Sequence, residues 1–395
     1  MRVMFNLDKM TDRRGTVSYK WDIPEGELPM WVADMDFEAP EPVKNALIRS
    51  AEHGIYGYSI TPDAYFEAYR GYWSRRHGVE YKCEEMVYAS GIVAALSSLV
   101  RKLTTPAENV LIQAPVFNLF FNSVVNNGRN ILSSDLVYDG EGYEIDFDDL
   151  ERKLADPQTS LMILCNPHNP VGKIWSREEL SRIGELCKRY SVTVLSDEIH
   201  CDFTRPGFEY TPFYAASDTC RDISITLISG SKTFNIAGLQ SACLVAHDPA
   251  LRHKAWRAVN TDEIGEPNVF AVGANIAAFC ECDGWVDELR DYTFENRDIA
   301  YKYINERIEG VKALSGNATY LLWIDISAVC SDSEAFVARL GELTGLYLSA
   351  GIGYGEPGRS FVRLNLATQR ERLMDGLSRL ERGVALILAE KKQDI

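Results

Sequence analysis

Residues 228–234 read Ile-Ser-Gly-Ser-Lys-Thr-Phe, and they follow the strand-like run Ile223-Ser-Ile-Thr-Leu227. A buried strand that ends in two hydroxyls, a glycine and a lysine admits two readings. Ser-Gly-Ser is turn chemistry, and a lysine beside a turn is ordinarily solvated. The other reading is a ligand site beyond the carboxyl end of the strand, where open parallel sheets bind their ligands. The segments on either side decide between them.

Outward from this stretch, short apolar runs alternate with helical patterns. Asn109–Gln113, Leu161–Cys165, Val192–Ser196, Ile223–Ser229 and Ala242–Ala246 are strand-like. Between the second and third, Leu180, Ile183, Leu186 and Cys187 fall at helical spacing, with Ser176 placed as an N-cap. This alternation predicts an α/β fold: a three-layer αβα unit around a mostly parallel sheet. Beyond about residue 285 the pattern becomes a long polar helix (Val286–Ile308), strands at Tyr320–Ile326 and Phe361–Ala367, and helices near Ser333–Leu343 and Arg370–Leu388. That reads as a second, smaller α+β unit. The expected division is an N-terminal segment 1–45, packed on the small unit or a partner chain, a large domain 46–285 and a small domain 286–395. A length of 395 residues suits two cores rather than one.

The formal charge is −16 and no basic stripe offsets it, which argues against nucleic-acid binding. The opening MRVMFNLDKMTDRR carries charges where a signal peptide needs an apolar core, and no apolar run is long enough to span a membrane. The nine cysteines are scattered, and the one close pair, Cys280 and Cys282, lacks zinc-type spacing. Reduced thiols, a cytoplasmic address and no metal site are expected.

The residues after each predicted strand carry the chemistry. They are Asn166-Pro-His-Asn169-Pro-Val-Gly172, Asp197-Glu-Ile-His200 and Ser229-Gly-Ser231-Lys232, while Ala89-Ser90-Gly91 precedes the helix Ile92–Leu103. Each has a bland account: a proline turn, a helix cap, a core histidine, an N-cap. Their coincidence at one sheet edge is what pyridoxal phosphate chemistry requires. The lysine binds the aldehyde and must be near its neutral form. A carboxylate, here Asp197, keeps the pyridine nitrogen protonated so that the ring accepts carbanion charge. Asn169 and His200 can bond the ring oxygen, and Ser229, Ser231 and the amides of Gly91 and Ile92 can hold the phosphate. Dinucleotide and P-loop glycine motifs are absent, and Gly351-Ile-Gly-Tyr-Gly355 reads as a flexible loop. In Phe361-Val-Arg-Leu-Asn-Leu-Ala367, the side chains of Phe361, Arg363 and Asn365 share one face, which can line a cleft where Arg363 grips a carboxylate; the alternative is a solvated sheet face.

The chain resembles the fold-type I, pyridoxal-phosphate-dependent enzymes of the class I/II aminotransferase superfamily, and within them the MalY/PatB-type cystathionine β-lyases, or C–S lyases. The residues that carry the likeness are Pro29-Met-Trp-Val-Ala-Asp-Met-Asp-Phe37, Tyr56-Gly-Tyr58-Ser, Cys165–Gly172, Ser196–His200, Ser231–Leu239 and Val362–Ala367. The resemblance implies Lys232 as the cofactor-binding lysine and proton shuttle, Asp197 at the pyridine nitrogen, and Asn169 and His200 at the ring oxygen. It further implies Arg363, with Asn169 and Tyr58, at the substrate. Tyr58 would reach the phosphate of a second subunit, making a homodimer part of the site. Two positions depart from the pattern. Phe117 stands where the lyases usually stack a tyrosine on the ring, and Gln240 stands where many transaminases carry a phosphate-binding arginine. The implied reaction is β-elimination from a cysteine thioether such as cystathionine, in methionine biosynthesis. An aminotransferase using the same residues and a regulatory protein on the same fold are the alternatives.

Overall fold

A computed structural model describes residues 5–393, so the first four residues of the opening stretch lie outside the described residues. The large sheet is built from β1 (Met86–Ala89), β2 (Asn109–Ile112), β3 (Asn130–Ser133), β4 (Thr159–Cys165), β5 (Thr193–Asp197), β6 (Ser224–Ile228) and β7 (Ala242–Val245). Its spatial order is β1-β7-β6-β5-β4-β2-β3. Only β7 runs antiparallel to its neighbours.

Both faces of this sheet are covered, which is why its inner strands are mostly apolar and buried. Along β4, Leu161, Ile163 and Cys165 join a cluster with Ala95, Leu96 and Leu99 of the helix Ile92–Leu103. Met162 and Leu164, pointing the other way, join Leu180, Ile183 and Leu186 of the helix Arg177–Arg189. That helix starts where the sequence places it. Ser176 accepts from the Glu179 amide, and the Glu179 side chain accepts from the Ser176 amide, a reciprocal cap. The three-layer α/β architecture is therefore the one expected.

A second sheet, β8 (Lys312–Ala313), β9 (Leu321–Asp325), β10 (Ser349–Ala350) and β11 (Phe361–Asn365), has the order β8-β9-β11-β10. Val362, Leu364 and Leu366 pack with Leu322, Ile324 and residues of the helices Asp283–Arg307 and Arg370–Gln393. Leu28–Pro29 pairs in parallel with Leu346–Tyr347, so the N-terminal segment lies along this second layer.

Two expectations need correction. Gly351–Gly355 is not a flexible loop. It forms a 3-10 turn, Gly351–Tyr354, followed by another at Glu356–Gly358, and the two backbones touch. A Cβ on Gly351 would overlap the carbonyl oxygens of Gly358 and Phe361. Gly351 and Gly355 are there for close approach, a use that composition does not distinguish from slackness. The second correction concerns Phe361, which does not line a cleft. Its ring stacks on Trp323 at 5.2 Å in a core cluster.

Candidate active site

The carboxyl ends of β4, β5 and β6 deliver their polar residues to one edge, because parallel neighbours end together. Asn169 and His200 are each 3 % exposed and Asp197 likewise, while Lys232 is half-buried with its amine end enclosed. The Lys232 amine donates to the Ala33 carbonyl at 2.6 Å. Burial and the nearby Arg363 charge pull its pKa down to about 8, against the opposing pull of Asp34 and Asp197. Asp197 moves the other way. Burial lifts its pKa to about 7, although the Ile199 amide and Lys232 favour the anion. Its side chain accepts from that amide at a long 3.4 Å. A buried carboxylate with so little hydrogen bonding has capacity for a cationic N–H partner.

The imidazole of His200 is kept neutral by burial and by the charges of Lys232 and Arg363. Its Nδ1 is buried without a hydrogen-bond partner. The ring meets Tyr320 edge-on at 5.8 Å.

Arg363, from β11, is 5 % exposed, which removes the solvated-face reading. Its Nη1 donates to Asn169 Oδ1 at 3.2 Å and its Nη2 to the Trp31 carbonyl at 2.9 Å. The guanidinium lies 4.9 Å from the centre of the Tyr354 ring. Its Nε is buried and unpartnered. Since Asn169 Oδ1 accepts from Arg363, the amide NH₂ of Asn169 points its donors elsewhere.

At the amino end of the helix Ile92–Leu103, Gly91 adopts φ 102°, and a Cβ there would come within 2.7 Å of Gln240 Oε1. Gln240 thus packs over the helix start that was expected to hold phosphate. The Ile92 amide opens the helix, where N–H groups lack intrahelical acceptors. Ser229 donates its hydroxyl to the Ser241 carbonyl at 2.7 Å and accepts from the Ser231 amide at 3.1 Å, so it also shapes the turn. Ser231 is half-buried. Phe117 caps the helix Asn118–Val125 and meets Phe120 edge-on at 5.6 Å. Tyr58 stands apart from this cluster, fully exposed on a loop with Ile55, Tyr56 and Ile60.

Sequence reasoning missed several contributors. Tyr320 donates to the Ala33 carbonyl at 3.0 Å, and Tyr354 lies against Arg363. The carbonyls of Trp31 and Ala33 accept from Arg363 and Lys232. Backbone acceptors leave no mark in residue identity. Asn365 is placed by the sequence on the strand face of Arg363, two residues away, but residue order assigns it no role.

A family model described as aminotransferase class I and II matches residues 30–380. Over 383 residues the chain is 42 % identical to cystathionine β-lyase PatB of Bacillus subtilis (strain 168), covering 95 % of this chain and 99 % of that one. It is 32 % identical to protein MalY of Escherichia coli (strain K12) over 390 residues, 97 % of each chain. A solved PLP-bound C–S lyase from Staphylococcus hominis superposes with a TM-score of 0.90 at 31 % identity, covering 97 % of this chain and 98 % of that one. With that agreement across nearly its whole length, the chain belongs to the class I and II aminotransferases, in the branch of PatB and MalY.

Proposed function

We propose that this chain is a pyridoxal-phosphate-dependent carbon–sulfur β-lyase. Cystathionine, or a related S-substituted cysteine, and water would give the thiol (homocysteine from cystathionine), pyruvate and ammonia. The observation that carries the cofactor reading is the pair of opposed titrations at one sheet edge. Asp197 is a poorly hydrogen-bonded buried carboxylate and Lys232 an amine whose pKa is pulled down to about 8. The unpartnered Nδ1 of His200 fits the same group. Likeness to PatB, a protein named as a cystathionine β-lyase, supports elimination as the outcome.

Lys232 would hold the cofactor aldehyde, Asp197 the pyridine nitrogen, and Asn169 with His200 the ring oxygen. The phosphate falls to Ser229, Ser231 and the amides of Gly91 and Ile92, and Phe117 covers a ring face. Bound pyridoxal phosphate supplies an electron sink for the pair left when the Cα–H bond breaks. The other steps belong to the chain. Arg363 binds the α-carboxylate through N–H groups not already given to Asn169 and Trp31, Nε among them. Released from the aldehyde by the incoming substrate amine, the Lys232 amine would take the Cα proton. Asp197 would hold its negative charge for the ring nitrogen, and Arg363 with Tyr354 would keep the carboxylate end fixed while sulfur leaves Cβ.

The protein is read as a homodimer: Ile55, Tyr56, Tyr58 and Ile60 expose a run of apolar side chains that a second copy would cover, bringing Tyr58 to its phosphate. The proposed division into 1–45, 46–285 and 286–395 gives each of the two larger parts one of the main sheets. A cytoplasmic address suits nine free cysteines. Among the described residues no helix is long and apolar enough to cross a membrane.

Transamination is the second reading, kept by the description of the family itself. The test is an assay of purified protein with cystathionine and no added 2-oxo acid. Pyruvate and thiol released in equal amounts support the lyase. Turnover that appears only when a 2-oxo acid is supplied replaces it with an aminotransferase.

A further inference from the structure

Four consecutive backbone carbonyls, Trp31 to Asp34, each accept from a side chain of the site. Trp31 accepts from Arg363 Nη2 and from the Ser349 hydroxyl, both at 2.9 Å. Ala33 accepts from Lys232 Nζ at 2.6 Å and Tyr320 Oη at 3.0 Å. The two remaining carbonyls, Val32 and Asp34, both accept from Asn365 Nδ2 at 2.6 Å. Asn365 is 1 % exposed, and its Oδ1 accepts from the Ala367 amide at 2.8 Å. Its amide is therefore pinned at both ends, and it brackets Ala33 from either side. Holding the two flanking carbonyls fixes Cα33 and Cα34, so the Ala33 carbonyl keeps one motion only, rotation about the line between those atoms, and backbone sterics restrict it.

The segment is also tied down from behind. Asp36, 2 % exposed, accepts from Lys20 Nζ and Trp21 Nε1 at 2.9 Å each and from Arg13 Nη1 at 3.1 Å. The carbonyl of Ala33 is thus a preorganised acceptor and not a passing contact.

We propose that Asn365 is a positioning residue that aims the Ala33 carbonyl at Lys232, so that this carbonyl holds the ammonium formed when Lys232 takes the Cα proton. A lysine ammonium sits on a flexible four-carbon stem and needs an acceptor to stay where its proton can next be used. A carbonyl serves better than a carboxylate, because it fixes the ammonium without trapping the proton. The inference rests on Lys232 as the proton-carrying group. The other charged or titratable groups around Lys232 are Asp34, Asp197, Arg363, His200 and Tyr320; none of their side chains bonds Asn365, which reaches Asp34 through its backbone carbonyl.

The test measures Lys232 in the cofactor-free full-length chain. Pulses of acetic anhydride across a pH series, followed by peptide mass analysis, give the midpoint at which its amine becomes reactive. Asn365→Leu removes both donors at similar volume. Asn365→Ala does the same with a smaller side chain, should the leucine variant not fold. Losing an acceptor for the charged form lowers the midpoint, by about one pH unit for a hydrogen bond to an ion. Tyr320→Phe loosens the same segment but leaves the bracket intact, so its midpoint stays or rises. In the cofactor-loaded Asn365 variants, kcat falls about tenfold with KM little changed. An unmoved or raised midpoint in the Asn365 variants overturns the proposal, as does an equal fall in Tyr320→Phe. A wild-type midpoint at the ordinary lysine value overturns instead the reading of Lys232 itself.

Discussion

Arg363 Nη1 meets Asn169 Oδ1 at 3.2 Å, joining side chains that lie 194 positions apart in the chain. One comes from the turn after a large-sheet strand, the other from the middle of the small sheet. The carboxylate-binding cation and the amide beside the cofactor are thereby set in a single hydrogen-bonded unit.

The pair predicts the outcome of Arg363→Lys. A lysine keeps the charge but cannot serve Asn169, Trp31 and a carboxylate from one planar group. KM for the amino-acid substrate should rise about 10- to 100-fold, the loss of a charged hydrogen bond or two. Visible absorbance of the bound cofactor should persist. If absorbance is lost together with substrate affinity, Arg363 is holding the cofactor site and not the substrate.

Asp197 makes a prediction about pH. Its pKa is raised in the folded chain, from the ordinary aspartate value of 3.8 to about 7. Between those limits the folded state binds more protons than the unfolded one, so its contribution to stability is fully present below about pH 4 and falls as pH rises towards 7. Asp197→Asn removes that fall. Denaturant titrations of the two cofactor-free proteins should diverge from pH 4 to pH 7, the variant gaining by no more than about 4 kcal/mol. Curves that stay parallel would mean that Asp197 is not raised.

The opposite sign applies to Asp202. It accepts from Thr233 Oγ1 at 2.7 Å and pairs with His77 at 3.2 Å and Arg76 at 3.4 Å. Despite burial, His77 and Arg76 hold its pKa down to about 2. The stability it confers is present above about pH 4 and is lost as pH falls through 2. Asp202→Ala leaves Arg76 with Asp287 as its remaining carboxylate and takes the buried acceptor from Thr233 and His77, and should cost about 3 kcal/mol at pH 7, read from chemical denaturation. A cost below about 1 kcal/mol would show that the cluster is dispensable.

Two glycines two residues apart should behave oppositely. Gly351→Ala drives a methyl group into two backbone carbonyls, whereas nothing lies within 4 Å of a Cβ at Gly353. The first variant should lose several kcal/mol or fail to accumulate, as overpacking does at its worst, and the second should stay within about 0.5 kcal/mol of the parent. Thermal unfolding of both decides. Equal behaviour would restore the flexible-loop reading of this segment.

Residue types and their order marked out most of this protein. Alternating apolar runs and helical spacing identify a parallel sheet with helices on both faces, since strand alternation and helix periodicity are local consequences of backbone geometry. The polar residues after β4, β5 and β6 could be gathered into one site for the same reason, because parallel strands end at a common edge. What only the folded chain decided are the relations between distant segments: Arg363 against Asn169, the carbonyls of Trp31–Asp34 turned towards Lys232 and Arg363, and Gly351 against Gly358. Carbonyl directions and close backbone approach depend on how separate elements pack. Every residue carries the same carbonyl, so no choice of side chain can announce where it will point.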